Sequence, residues 1–162
     1  MFSDLQPAVY CLCGKIGSGK STVSRNLAVS KGAVVFNLDE IMEPLFGQTL
    51  GRERYVVNLG ICRDYLYRLA DRVLELGHSV VFDFGFWSRD DRRQTIERFP
   101  DHRVEFVYCP VSDEEQLRRV YRRNESSDKT YAFSSEQLAF LNRFFEEPDP
   151  DEGILLTRIQ NG

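Results

Sequence analysis

Gly14-Lys15-Ile16-Gly17-Ser18-Gly19-Lys20-Ser21-Thr22 is the stretch from which the rest of the chain can be read. It fits G-x-x-x-x-G-K-[ST], the Walker A pattern. Its glycines let the backbone curl until successive N–H groups point into one concavity, an anion nest. A helix opening near Lys20 adds the positive end of its dipole. In such a loop the lysine, Lys20, reaches the β- and γ-phosphates of a nucleotide, and the hydroxyl of Ser21 ligates Mg²⁺. Every residue from Gly14 to Thr22 is thus a candidate nucleotide contact.

The flanks agree with this reading. Residues 8–13, Ala-Val-Tyr-Cys-Leu-Cys, form a continuous apolar run, as expected of a buried parallel strand. After the loop, Val23, Leu27 and Ala28 fall on one face of a helix. The dinucleotide fingerprint G-x-G-x-x-G is excluded, because Gly17-Ser18-Gly19 is followed by Lys20-Ser21-Thr22 with no third glycine.

The bulk composition sets the outer bounds. A chain of 162 residues, 42% hydrophobic and 28% charged, is expected to form one soluble domain over residues 1–162. A net charge of −4 does not suit bulk nucleic-acid affinity. No basic, apolar leader opens the sequence and no run is long enough to span a bilayer, so no membrane association is expected. The four cysteines, Cys11, Cys13, Cys62 and Cys109, contain neither C-x-x-C nor a Cys/His cluster. They read as core residues of a cytoplasmic protein rather than disulfide or zinc ligands. His78 and His102 each precede a predicted strand and are assigned no role.

The remaining chain alternates strand and helix. Strands are expected at 33–38, 79–83, 104–109 and 154–159. The longest helix is expected at 52–76, where Leu59, Cys62, Leu66, Leu69, Val73 and Leu76 recur at 3-4-3-4-3. A short helix is expected at 40–46. Capping-box patterns at Ser88/Asp91, Ser112/Glu115 and Ser134/Gln137 open three further helices. The one at Ser112 is expected to carry Leu117, Val120 and Tyr121 inward. Residues 146–153 read as an acidic loop. Alternation throughout means an α/β fold with a parallel sheet between helices.

Two acids stand out against this frame. Asp83 closes the apolar run Val80-Val81-Phe82, the Walker B arrangement, and is the candidate second magnesium ligand beside Ser21. Asp39 follows the second strand, where a carboxylate borders the acceptor side and can take the proton of an attacking hydroxyl. Arg118, Arg119, Arg122 and Arg123 approach a polar loop at 124–133, the expected lid. Arg119 and Arg123 are the favoured candidates to meet the charge on a transferring phosphoryl group. The Asp83-Phe84-Gly85 triplet is not a protein-kinase signature, since no H-R-D catalytic loop accompanies it. Arg89, Arg92 and Arg93 read as a mostly solvated group, available to a phosphorylated or nucleic-acid acceptor.

These motifs resemble the small P-loop kinases: the polynucleotide 5′-kinase, zeta-toxin-like and chloramphenicol-phosphotransferase-like group of AAA-domain proteins. The resemblance runs from Val9 to about Phe145. It implies a P-loop NTPase three-layer sandwich with five parallel strands in the order 2-3-1-4-5. It implies ATP and Mg²⁺ as cofactors and Asp39, within Asn37-Leu38-Asp39-Glu40, as general base. It implies that residues 117–124 lead into the lid. The chain departs from that pattern at Gly85, where relatives often carry Thr or Asn, and at Glu40, where an aspartate or a basic residue is common. Both positions lie where the acceptor is read, so the acceptor stays open. A small hydroxyl compound is the favoured one and a nucleic-acid 5′-hydroxyl a second. A regulatory ATPase without a small acceptor is the rival activity. A GTPase is disfavoured by the missing N-K-x-D, and a ring-forming motor by the short chain.

Lys20→Ala is expected to abolish turnover and weaken ATP affinity, because it removes the cation facing the β/γ-phosphates. Steady-state assays and nucleotide titration check this, and unchanged activity would overturn the Walker A reading.

Overall fold

The computed structural model describes residues 6–47, 51–125 and 133–160. Most of the expected lid, residues 126–132, lies outside the described residues. The elements are β1 (Ala8–Cys13), α1 (Lys20–Lys31), β2 (Val34–Asn37), α2 (Leu38–Phe46), α3 (Arg52–Glu75), β3 (Val80–Gly85), α4 (Arg89–Arg98), β4 (Arg103–Tyr108), α5 (Asp113–Glu125), α6 (Ser135–Asn142) and β5 (Leu155–Arg158). All strand pairs are parallel, and the sheet order is β2-β3-β1-β4-β5.

Strand alternation sorts side chains onto two faces. Val9, Cys11 and Cys13 of β1 pack with Val80 and Phe82 of β3, Phe106 of β4, Tyr67, Ala70 and Leu74 of α3, and Phe99 beyond α4. The alternate residues Ala8, Tyr10 and Leu12 pack with Val81, Val107 and Val23 of α1. Helices therefore cover both faces, giving the three layers of a P-loop NTPase fold. Phe82 is the aromatic centre, with its ring 4.9–5.8 Å from those of Phe36, Tyr67, Phe84 and Phe99. A third cluster joins Leu38 and Met42 of α2 to Cys62 and Leu66 of α3. The four cysteines are free and buried.

Several boundaries differ from the sequence reading, each for a local reason. β2 stops at Asn37, whose side chain accepts the Asp39 N–H at 2.8 Å and caps α2. Asp39 therefore sits in the first turn of a helix rather than in a loop beyond a strand. β3 runs two residues past Asp83, to Gly85. Leu76 lies past the end of α3 and is exposed, and the inward positions there are Ala70 and Leu74. Tyr121 is half-exposed and not part of the core.

Arg92 departs furthest from the sequence reading. Its side chain is fully buried rather than solvated, and Glu152 faces it with 3% side-chain exposure. The pair is bidentate, Nε to Oε2 at 2.8 Å and Nη2 to Oε1 at 2.7 Å. The remaining nitrogen, Nη1, donates to the carbonyls of Phe86 and Glu146, both at 3.0 Å. The segment read as an acidic loop thus contains a 3-10 turn, Pro150–Glu152, whose last residue is pulled into the interior.

Removing one partner of a buried pair leaves the other charge uncompensated, at a cost of about 3–5 kcal/mol. Arg92→Leu is expected to lower thermal stability accordingly. The hydrogen bonds from Arg92 hold the Glu152 carboxyl below its ordinary value of 4.5. A depressed acid stabilises the fold fully above its unfolded value and less as pH falls through its folded one. The gap between wild type and Glu152→Gln should therefore be full at pH 7 and narrow below pH 4.5. Thermal unfolding across that range checks both statements.

Candidate active site

The loop between β1 and α1 is held from three sides. The Gly14 N–H donates to the Gly85 carbonyl at 3.1 Å, tying the loop to the end of β3. Gln116 of α5 donates Nε2 to the Ile16 carbonyl at 2.9 Å and exchanges amide hydrogen bonds with Asn142 of α6. Lys15 reaches outward to Asp113 at 3.0 Å. A Cβ at Gly14 would come within 2.6 Å of the Ser18 hydroxyl and 2.7 Å of the Cys109 carbonyl, so only glycine fits there. Lys20 Nζ donates to the carbonyls of Gly14 at 2.9 Å and Lys15 at 2.7 Å. Burial lowers its pKa from 10.5, and the Asp83 carboxylate is the largest opposing influence.

Three elements then meet at one oxygen. Asp83, 7% exposed, accepts from the Ser21 hydroxyl of α1 at 2.8 Å and from the Asn37 amide of β2 at 3.2 Å, both on Oδ2. Asn37 and Asp83 are directly opposite in the β2–β3 register. Ser21 and Asp83 are the hard oxygen donors that Mg²⁺ takes when one or two protein ligands are completed by phosphate and water. Among the described residues, no group of three or more His, Cys, Asp or Glu converges as an all-protein metal cage. The residues present thus suit a nucleotide-borne magnesium ion.

A cleft of about 710 Å³ runs over these groups. One wall carries Ile16, Gly17 and Gly19 through Thr22, with Arg119, Val120 and Arg123 of α5 opposite. Gly14, Lys15 and Ser18 are not in its lining: Gly14 and Ser18 lie behind the loop, and Ser18 is fully buried. Arg119 and Arg123 line the cleft, whereas Arg118 and Arg122 are exposed. Arg119 pairs with Glu115 at 2.5 Å, and Arg118 turns to the same carboxylate at 2.6 Å rather than pairing four residues back. Asp39 lies in the cleft beyond Asp83. Desolvation within the cleft, then the Asp83 carboxylate, raise its carboxyl above 3.8 against the pull of Lys20 and Arg123.

The far end of the cleft holds residues to which the sequence reading gave no role. Tyr55, Leu59 and Arg63 of α3 face Phe84, Phe86, Trp87 and Asp91. Arg63 pairs with Asp91 at 3.3 Å. Gly85 has φ +87°, and a Cβ there would meet the Trp87 ring at 2.8 Å, which accounts for glycine at this position. Phe86 follows at φ 44°, the one non-glycine residue with positive φ among those described. Asn37 also went unassigned, although an Asn two residues before an acid at a helix start is an N-cap signal.

The geometry can be set beside known proteins. No curated protein sequence matches this chain. Solved structures resemble it over nearly its whole length. A candidate kinase from Chloroflexus aurantiacus J-10-fl is 20% identical with a TM-score of 0.74, covering 96% of this chain and 86% of that one. A gluconokinase from Sinorhizobium meliloti 1021 is 21% identical with a TM-score of 0.63, covering 95% and 82%. Kti12 from Chaetomium thermophilum, solved with ADP-AlF3, is 17% identical with a TM-score of 0.68, covering 93% and 88%. At such identities the likeness is one of fold. The AAA domain family AAA_33 matches residues 9–148, a span that holds the nucleotide loop, both acids and α5. The chain belongs to this family of AAA-domain proteins.

Proposed function

We propose that this protein is an ATP-dependent phosphotransferase that moves the γ-phosphate of ATP·Mg²⁺ to a hydroxyl of a small acceptor. The observation that carries the reading is the placement of Asp39. Its carboxyl shares a cleft with Lys20 and the Ser21–Asp83 pair, yet it belongs to a separate element. A nucleotide-holding protein needs the pair. A carboxylate beyond the pair, with its pKa raised by desolvation and by the Asp83 carboxylate, suits a base for an acceptor's proton.

The roles follow from position. Backbone N–H groups from Gly17 to Thr22 and Lys20 hold the phosphates. Ser21 and Asp83 hold magnesium, which when bound neutralises charge on the phosphates. Arg119 and Arg123 face the same space and meet charge developing on the transferred group. Asp39 takes the acceptor's hydroxyl proton as the new O–P bond forms and ADP departs. Tyr55, Leu59, Phe84 and Trp87 give the acceptor an apolar, partly aromatic wall that keeps water out. The gluconokinase of the same fold supports a small hydroxyl compound as acceptor. The fold is shared with a chain of the Pnkp1/Rnl/Hen1 RNA repair complex. The basic group offered by the sequence for such a strand is otherwise engaged. Arg92 and Arg89 address Glu152, and Arg93 pairs with Asp90 and Glu97.

A screen of hydroxyl-bearing metabolites, antibiotics and 5′-hydroxyl oligonucleotides with γ-labelled ATP tests the activity; ATP hydrolysis with no transfer to any of them would overturn it. Two variants then separate the acids. Asp83→Asn should weaken Mg²⁺-dependent ATP binding and slow every reaction, hydrolysis included. Asp39→Asn should leave ATP·Mg²⁺ affinity near normal and lower kcat for transfer about 10²–10⁴-fold, the usual size of a general-base contribution. Nucleotide titration read from Trp87, the only tryptophan, alongside single-turnover transfer distinguishes the two.

A further inference from the structure

The base and the metal-holding acid lie on different elements, and their relative position needs a physical cause. Coulomb repulsion alone drives two carboxylates apart. Helix α2 packs against α3 through Leu38 and Met42, apolar contacts that do not address either acid. One side chain bridges the two acids. The Asn37 amide donates Nδ2 to Asp83 Oδ2 at 3.2 Å while its Oδ1 accepts the Asp39 N–H at 2.8 Å. Both functional ends of the amide are used, and in opposite senses. The donor end satisfies an acid and the acceptor end fixes the first turn of the helix that carries the other acid.

We infer that Asn37 is a positioning residue, whose amide sets Asp39 at a fixed distance from the Asp83–Ser21 pair. The inference rests on the phosphotransferase reading above. Capping alone does not require asparagine, since Asn, Asp and Ser serve about equally well at an N-cap. An ionised aspartate has no donor for the Asp83 carboxylate, and serine, whose hydroxyl can both accept and donate, is shorter than the amide that spans from the Asp39 N–H to Asp83. Leu38 separates the two residues and buries into the α2–α3 cluster, so the Asn37–Asp39 unit has a packed anchor as well as the amide. Asn37 itself lines the cleft, and its loss is felt there and not in the core.

The test uses Asn37→Ser, which keeps a cap oxygen but shortens the side chain away from Asp83. Asn37→Asp keeps shape and cap but offers a carboxylate where the donor was. Both are compared with wild type, Asp39→Asn and the Asn37→Ser/Asp39→Asn double variant. The probe reaction is single-turnover cleavage of γ-labelled ATP with water as the acceptor, whose proton Asp39 takes as it takes that of a hydroxyl compound. ATP·Mg²⁺ affinity is read from Trp87 fluorescence and folding from thermal unfolding. For Asn37→Ser the expected results are a melting temperature within a few degrees of wild type, affinity within about threefold, and cleavage slowed by up to about 10²-fold, the size of an ångström-scale misplacement. Asn37→Asp should be at least as slow. In the Asp39→Asn background the same Asn37→Ser change should add little, because an effect exerted through Asp39 vanishes with it.

Wild-type cleavage by both Asn37 variants overturns the positioning role. So does an equal loss from Asn37→Ser in the two backgrounds, since a general structural defect multiplies with the loss of the base. If Asp39→Asn itself cleaves at the wild-type rate, the base reading fails first, and the result is distinguishable from either of these.

Discussion

One oxygen of Asp83 receives a hydroxyl from α1 and an amide from β2, and much of the architecture is needed to bring those donors together. The strand order provides it. β3 lies between β1, which delivers the nucleotide loop, and β2, which delivers Asn37. A strand swapped to any other position would separate Ser21 from Asp83 or Asn37 from both. The parallel register fixes the depth, because Asn37 stands opposite Asp83 while Gly85 stands opposite Cys13 at the mouth of the loop. A carboxylate so buried is stable only when its lone pairs are used, and here they are used by groups that also have work at the site.

The end of β3 is held in a conformation it would not choose. A residue other than glycine in the left-handed region costs roughly 1–2 kcal/mol, and Phe86 adopts it directly after Gly85. Its carbonyl accepts from Arg92 and from the Cys13 thiol, and its ring packs against Phe84 and Phe106. The Arg92 contact is charge-assisted and desolvated, so it outweighs the strain. Arg92 is held in turn by Glu152, and Glu146 adds its N–H to the Trp87 carbonyl at 2.8 Å. The wall of the cleft is thus fixed from the C-terminal segment, through groups far apart in sequence. This gives physical content to Gly85: a threonine or asparagine there would lose the turn and strike the Trp87 ring.

How much of this was legible depended on the range of the interaction. The nucleotide loop and the two acids come from local spacing and from the strand–loop–helix alternation, while the order of the strands came from the resemblance to small P-loop kinases and is the order observed. What escaped was long-range pairing. Arg92 reads as one of three surface arginines, because nothing near it in sequence announces Glu152 sixty residues on. Trp87 and Tyr55 line one cleft although thirty-two residues apart in sequence. Asp39 was located, but its helix was begun two residues late, since the strand was read through Leu38, the first residue of the helix. The N-cap signal was present in Asn37-Leu38-Asp39 and lost to the apolar run before it.

The two acids communicate in two ways that differ in kind. Charge and burial act through space: desolvation raises the Asp39 carboxyl most, Asp83 raises it further, and Lys20 and Arg123 oppose both. The start of α2 pulls in the same direction as those cations. Geometry acts through Asn37, and it does not depend on ionisation. A carboxylate left to charge alone would drift toward Lys20 when its proton is lost and away from Asp83 at the same time, so its position would change in the act of ionising. The Asn37 amide anchors the backbone that carries that carboxylate, because its Oδ1 accepts the Asp39 N–H while its Nδ2 donates to Asp83. Under the proposed phosphotransferase reading, that anchor keeps the backbone of the base in one place through successive changes of protonation state.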